Sequence, residues 1–197
     1  MGANGGEPAG KSMVSAEIPE SMLGEIVPVI SSRTHHMKAT APITRKEMIR
    51  LLNGDLAREY QAIIAYIVYS QTIKGAKYQH IAKELEKHAA DELDHALKIA
   101  KQIDYFNGTP VTAPKEVKMS SHPEDMLQFD LENERVTILG YRQRIRQAEA
   151  MGEYALGEVL REIIVQEQEH LTDLANALGI DNPKLEDYGL FGKCRGI

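Results

Sequence analysis

The chain has 197 residues, with 29 acidic and 23 basic side chains, seven His, one Cys and no Trp. Its formal net charge of -6 argues against a general nucleic-acid binder, and its 43% hydrophobic content excludes a disordered chain. A single Cys rules out a disulfide framework and points to a reducing compartment.

The longest apolar run, Ala62 to Tyr69, is far shorter than the ~20 residues that cross a bilayer. The first 30 residues carry one basic residue, Lys11, and an apolar stretch broken by Glu25, which makes a poor secretion signal. The expectation is one acidic cytoplasmic domain with tails, with neither membrane nor nucleic acid as a partner.

Residues 1–42 read as a tail with scattered Gly and Pro, too poor in Lys and Arg for a DNA-binding arm. Its apolar cluster of Met22, Leu23, Ile26, Val27, Val29 and Ile30 suits packing on a neighbouring subunit. After Pro42, long helical patterns begin. The first opens with a capping-box signature, Thr44 with Glu47, and runs to about Ile73 before Gly75. The second starts near Lys77 and ends at Asn107-Gly108, with Pro110 beyond. The third opens at Ser121-His122-Pro123-Glu124 and runs to Met151-Gly152. The fourth runs from Glu153 to Leu178, with Gly179 as its cap and Pro183 after it. Residues 181–197 form a second tail, in which Leu190-Phe191-Gly192-Lys193 reads as a docking peptide or as an ordinary small-residue tail.

Short joins within each helix pair make antiparallel neighbours. The linker between helices two and three is about 15 residues and can stretch ~50 Å, the length of a helix. The expected fold is an all-α four-helix bundle over 43–180, with one long crossover between helices two and three.

Read at alternating steps of three and four, each helix has one inward stripe. The stripes are Leu52, Asp55 or Leu56, Glu59, Ile63, Tyr66, Ser70; then Ile81, Leu85, His88, Glu92, His95, Ile99; then Leu127, Leu131, Glu134, Ile138, Tyr141, Ile145, Ala148; and Leu156, Leu160, Ile163, Glu167, His170, Leu174, Leu178. Charged residues sit at mid-stripe, where an isolated carboxylate is penalised by burial and repelled by its neighbours. Two divalent cations would balance four carboxylates, with two neutral imidazoles completing the set. That mixture of oxygen and nitrogen donors suits iron or manganese, and also zinc.

The spacing carries more weight than any single residue. Glu59 to Glu92 and Glu134 to Glu167 are both 33 residues, and His95 and His170 each follow their Glu by three. Tyr66 and Tyr141 each lie seven after the first Glu, so the whole set maps onto itself by a shift of 75. Two helix hairpins related by a pseudo-two-fold axis would each supply half of one dimetal site. His88, one turn before Glu92, reads either as a group supporting the site or as a hydrogen-bonded core histidine. Asp173, three after His170, reads either as a group orienting that imidazole or as a surface acid.

These residues resemble the ferritin-like superfamily, and within it bacterioferritins and bacterioferritin-like mini-ferritins. The resemblance is carried by Leu52 to Glu59 with Tyr66, by Asp91-Glu92-Leu93-Asp94-His95, by Asp130 to Glu134, and by Glu162 through Gln166-Glu167-Gln168-Glu169-His170. It implies Glu59 and Glu134 as terminal ligands and Glu92 and Glu167 as bridges. His95 and His170 would each cap one metal, with Tyr66 and Tyr141 hydrogen-bonded to ligand carboxylates. Bacterioferritins hold haem through a Met at a subunit contact, and this chain has no Met between Ile49 and Lys118, so no haem is expected. The C-terminal tail is too short for the fifth helix of 24-subunit ferritins. The long N-terminal tail is similar to that of some mini-ferritins, which form 12-subunit shells, although the cysteine pair they often carry is missing.

The function implied is iron storage and detoxification by a ferroxidase with two iron ions per subunit. Fe(II) would be oxidised by O2 or H2O2 inside a homo-oligomeric shell. The competing expectations are a non-storage di-iron or di-manganese peroxidase or catalase, and a non-enzymatic bundle with a polar hydrogen-bonded middle.

Overall fold

The computed structural model describes residues 43–185. Four helices follow in order: α1 (Arg45–Thr72), α2 (Gln79–Tyr105), α3 (Pro123–Ala150) and α4 (Tyr154–Leu178), with one 3-10 turn, Ala76–Tyr78, leading into α2. The expected bounds hold to within two residues. Both the apolar N-terminal cluster and the Leu190–Lys193 segment lie outside the described residues.

Local chemistry sets the helix ends. Thr44 Oγ1 accepts from the Glu47 amide at 3.1 Å, which satisfies one free donor of the first turn. The reciprocal half of the expected capping box is not made, because the Glu47 carboxylate is taken by Arg50 at 2.8 and 2.6 Å. Pro123 starts α3 with Glu124 and Asp125 in its first turn, where negative charge meets the positive end of the helix dipole. Gly179 closes α4 at φ 69°, a left-handed conformation that needs no Cβ.

α1 packs against α2, and α3 against α4. The crossover after α2 runs beside α1 in the same direction. Asn53 receives the Val111 amide at 2.6 Å and donates to Thr109 O at 3.1 Å. Further along, the Lys115 amide meets Ala57 O at 2.8 Å and Gln61 donates to Glu116 O at 2.7 Å. This route returns the chain to the far end of the bundle, so α3 runs antiparallel to α1. No helix among the described residues is long and apolar enough to cross a membrane.

The core is divided. One apolar cluster holds Tyr69, Ile81, Leu85, Leu127, Leu131 and Leu174. The other holds Leu52, Leu56, Ile99, Ile103, Leu156 and Leu160. The predicted stripes are therefore apolar at both ends of the bundle, and their charged members form a waist between the two clusters.

Asn53→Ala removes both partners that Asn53 offers the crossover. We expect a loss of about 1–3 kcal/mol in urea denaturation, with faster hydrogen exchange at the Val111 amide.

Candidate metal centre

α1, α2, α3 and α4 each send one Glu into the waist, and α2 and α4 each add a His. Glu59, Glu92, His95, Glu134, Glu167 and His170 are all no more than 2% exposed. They form two overlapping groups: Glu59, Glu92, His95 and Glu167, and Glu92, Glu134, Glu167 and His170. In each group, one nitrogen or oxygen from every residue lies within 4.8 Å of the others. Glu92 and Glu167 belong to both, which is the arrangement of two adjacent sites sharing two carboxylates.

The donors converge. His95 Nδ1 is 3.2 Å from Glu92 Oε2, 3.2 Å from Glu167 Oε1 and 3.6 Å from Glu59 Oε2. His170 Nδ1 is 3.1 Å from Glu92 Oε1 and 3.7 Å from Glu167 Oε2. One imidazole proton cannot serve three carboxylates. Glu59 Oε2, Glu134 Oε2 and both oxygens of Glu167 have no hydrogen-bond partner. Orphaned carboxylate oxygens in a dry interior are costly, and a divalent cation supplies the charge they lack. The donor set of four carboxylates and two imidazoles fits Fe(II), Mn(II) or Zn(II).

A surrounding layer aims these groups. Tyr66 Oη donates to Glu134 Oε1 and Tyr141 Oη to Glu59 Oε1, each reaching across from the opposite hairpin. Each tyrosine holds one oxygen of its carboxylate and leaves the other free. The outward imidazole nitrogens are held as well. His95 Nε2 lies 3.0 Å from Gln166 Oε1, and His170 Nε2 lies 3.4 Å from Asp91 Oδ2. A proton on each Nε2 leaves the Nδ1 lone pair facing the centre.

Gln166 and Asp91 were not singled out from the sequence. The available signal was that each immediately precedes the Glu shared by both groups and that the two are 75 residues apart. Asp173 does not orient His170. In the antiparallel register of α2 and α4 it stands opposite His88, with Asp173 Oδ2 3.3 Å from His88 Nε2, while Asp91 stands opposite His170. His88 stacks on the His170 ring at 4.1 Å between centroids and lies edge-on to Tyr66 at 5.4 Å.

The protein's own groups set a distinctive proton balance. Burial, then the neighbouring carboxylates, push Glu92 and Glu134 well above the usual range. Burial opposes charge on His95 and His170, but the carboxylates around them outweigh it and raise both. Glu167 is held down despite its burial, by His170, His95 and Glu134. Burial, then the charge of His170, lowers His88 to about 4. The raised groups hold their protons more tightly than usual, and a cation binding there must compete with those protons.

The waist of this bundle defines a class: four-helix proteins that bury a carboxylate–histidine cluster of the kind that could hold metal. The sequence pattern of the ferritin-like domain matches residues 49–182, and the chain belongs to that family. It is 26% identical to bacterioferritin of Desulfovibrio desulfuricans over 67% of this chain and 74% of that protein. A ferritin-like, diiron-carboxylate protein of Bacillus anthracis superposes with a TM-score of 0.66 at 36% identity, covering 68% of this chain and 96% of that one. The bacterioferritin-related protein of Bacteroides fragilis, described as a dodecameric thioferritin, superposes with a TM-score of 0.64 at 27% identity, covering 70% of this chain and 87% of that one.

The raised groups give a signed prediction. Glu92 and Glu134 have folded values above their ordinary 4.5, and His95 one above its ordinary 6.5. Their protonation therefore stabilises the fold at low pH, and this contribution is lost as pH rises through the folded values. Glu167 acts in the opposite sense, losing its contribution as pH falls below 4.5. Protein stripped of metal by a chelator should show a falling Tm from mildly acidic to mildly alkaline pH. Added Zn(II) or Mn(II) should restore Tm most at the alkaline end. Glu92→Gln should flatten the pH dependence and remove the metal response.

Proposed function

We propose that the chain is a ferritin-like ferroxidase that takes Fe(II) as substrate, oxidises it to Fe(III), and serves iron storage and detoxification. The observation that carries this reading is the pair of overlapping four-donor groups sharing Glu92 and Glu167. Adjacent sites let one oxidant draw an electron from each of two Fe(II) ions in a single event. With H2O2, two Fe(II) yield two Fe(III) and two hydroxides. With O2 and two protons, they yield two Fe(III) and H2O2. In both cases no one-electron oxygen radical is released.

Each protein group has a part in this reading. Glu59 with His95, and Glu134 with His170, hold one ion each, and Glu92 with Glu167 span both. Tyr141 and Tyr66 restrain the terminal carboxylates. Gln166 and Asp91 keep Nδ1 of each imidazole directed at the centre. Four anionic ligands favour Fe(III) over Fe(II) electrostatically, which drives the oxidation. The two neutral imidazoles temper that charge so that product can leave.

The relatives support the storage half of the proposal. Bacterioferritin stands among them, and one solved neighbour is described as dodecameric. The homo-oligomeric shell, the choice of iron over manganese or zinc, and a cytoplasmic setting belong to the same proposal. A count of two ions per subunit is part of it too, supported by the two donor groups.

Anaerobic Fe(II) titration followed by exposure to O2 tests the activity. A fast oxidation phase should saturate at two Fe(II) per chain, and Glu167→Ala should slow it by more than about a hundredfold, since the shared ligand positions both ions. Unchanged fast oxidation in Glu167→Ala would reject the assignment. Size exclusion should show a particle of many subunits, whereas a dimer would reject the storage role and leave the oxidation chemistry standing.

A further inference from the structure

One cavity on the surface between α1 and α3 is lined by arginines. It encloses about 170 Å³ and is bounded by Asp55 and Arg58 of α1 and by Thr137, Gly140, Tyr141 and Arg144 of α3. Tyr141 is the residue whose hydroxyl donates to Glu59, so a single side chain links the cavity wall to the waist. The volume falls below the roughly 300 Å³ at which sites for drug-sized ligands begin, and suits a small ion.

The donors in the wall are incompletely used. Arg144 is only 7% exposed. Its Nε donates to Asp55 Oδ2 at 2.8 Å and its Nη1 to Gln147 Oε1, whereas Nη2 bonds to no described residue. Arg58, half-buried, has neither a hydrogen bond nor an ion pair among the described residues. Asp55 is the one carboxylate in the wall, and Arg144 already engages it. Two guanidiniums against one carboxylate leave a positive charge in excess. A buried cationic donor with an open N–H lacks a partner as surely as an unpaired carboxylate does.

Gly140 keeps the space open. A Cβ at that position would meet only Asp55 Oδ1, at 4.0 Å. No packing contact therefore excludes a side chain there, yet the chain places a poor helix former in the interior of α3. The shift of 75 maps Asp55, Arg58, Gly140 and Arg144 onto Asp130, Asn133, Ala65 and Tyr69. The cavity on that second side is lined by Ala65, Tyr69 and Asn133 together with Val117 and Lys118 of the crossover, and the Tyr69 hydroxyl donates to Lys118 O. The guanidiniums and the glycine occur on one side alone, so the repeat and the helix packing do not account for them.

We propose that the Arg58–Arg144 cavity binds a free inorganic oxyanion of phosphate size, held by Arg144 Nη2 and the Arg58 guanidinium, with the Thr137 hydroxyl beside them. Guanidinium N–H groups match the spacing of oxyanion oxygens and make bidentate, charge-assisted bonds. The bound anion stands next to Tyr141, on the Glu59 side of the waist, where its charge adds to the attraction for cations. Binding is a simple association and needs no metal in the waist.

Isothermal titration of inorganic phosphate into the full chain, stripped of metal and held at low ionic strength in a buffer without other oxyanions, should show one site per chain. Arg58→Gln should weaken binding at least about tenfold, the effect of losing one charge-assisted hydrogen bond, and Arg58→Lys should recover part of that loss. Gly140→Leu leaves every charge in place but fills the space, and should abolish binding while helical content is kept; if that variant does not fold, Arg58→Gln decides. Lys46→Gln removes an exposed cation outside the cavity and should change nothing. Parental affinity in Arg58→Gln or in folded Gly140→Leu overturns the proposal, as does an equal loss in Lys46→Gln, which would mark diffuse attraction. Phenyl phosphate should compete poorly, because its ring exceeds the space; competition equal to that of phosphate overturns the restriction to a free ion. A parent that binds no phosphate also overturns the proposal and leaves the dimetal reading untouched.

Discussion

Six ionisable groups share a dry space at the middle of this bundle, and the rest of the structure is organised around that cost. Buried carboxylates with no donor for their oxygens repel one another and lose their hydration. Glu59, Glu134 and Glu167 retain such oxygens even after Tyr66, Tyr141, His95 and His170 have made their contacts. A cation between two overlapping donor groups relieves both penalties. The fold makes room for one by splitting its apolar core into two clusters, which clamp the helices on either side of the waist.

The pseudo-two-fold relation between hairpins explains how so many groups reach the same place. Each hairpin supplies two Glu and one His, and each restrains the other. Tyr66 of the first binds Glu134 of the second, and Tyr141 of the second binds Glu59 of the first. Gln166 and Asp91 cross between α2 and α4 in the same reciprocal way. Neither half-site is complete without the other hairpin, so the geometry of the centre depends on the crossover that sets α3 against α1. Symmetry fails at Asp55 and Asp130, where an arginine meets one and a tyrosine facing away meets the other. Symmetry also fails at His88, whose mate is Ile163.

Much of this was legible in the sequence because helical periodicity and covalent spacing are local properties. The stripes, the four helices and the shift of 75 all follow from residue order alone. So does the inward direction of Glu59, Glu92, His95, Glu134, Glu167 and His170, since each lies in phase with apolar neighbours on its own helix. The partners of the imidazoles were not legible. Asp173, three residues from His170, was the local candidate to orient it, yet Asp91, 79 residues away, does so.

What the sequence by itself determined is the set of inward groups and the order in which the chain presents them, because a 3.6-residue period commits each helix to one buried face. What only the tertiary structure decided is register: which residue of α4 stands opposite His88, which residue of α1 opposite Asp130, and which carboxylate oxygens remain unpaired. Register depends on how two packed helices slide along each other. That is settled by side-chain interlocking in the two apolar clusters and by the hydrogen bonds that seat the crossover on α1, and neither can be read from the spacing of residues within one helix.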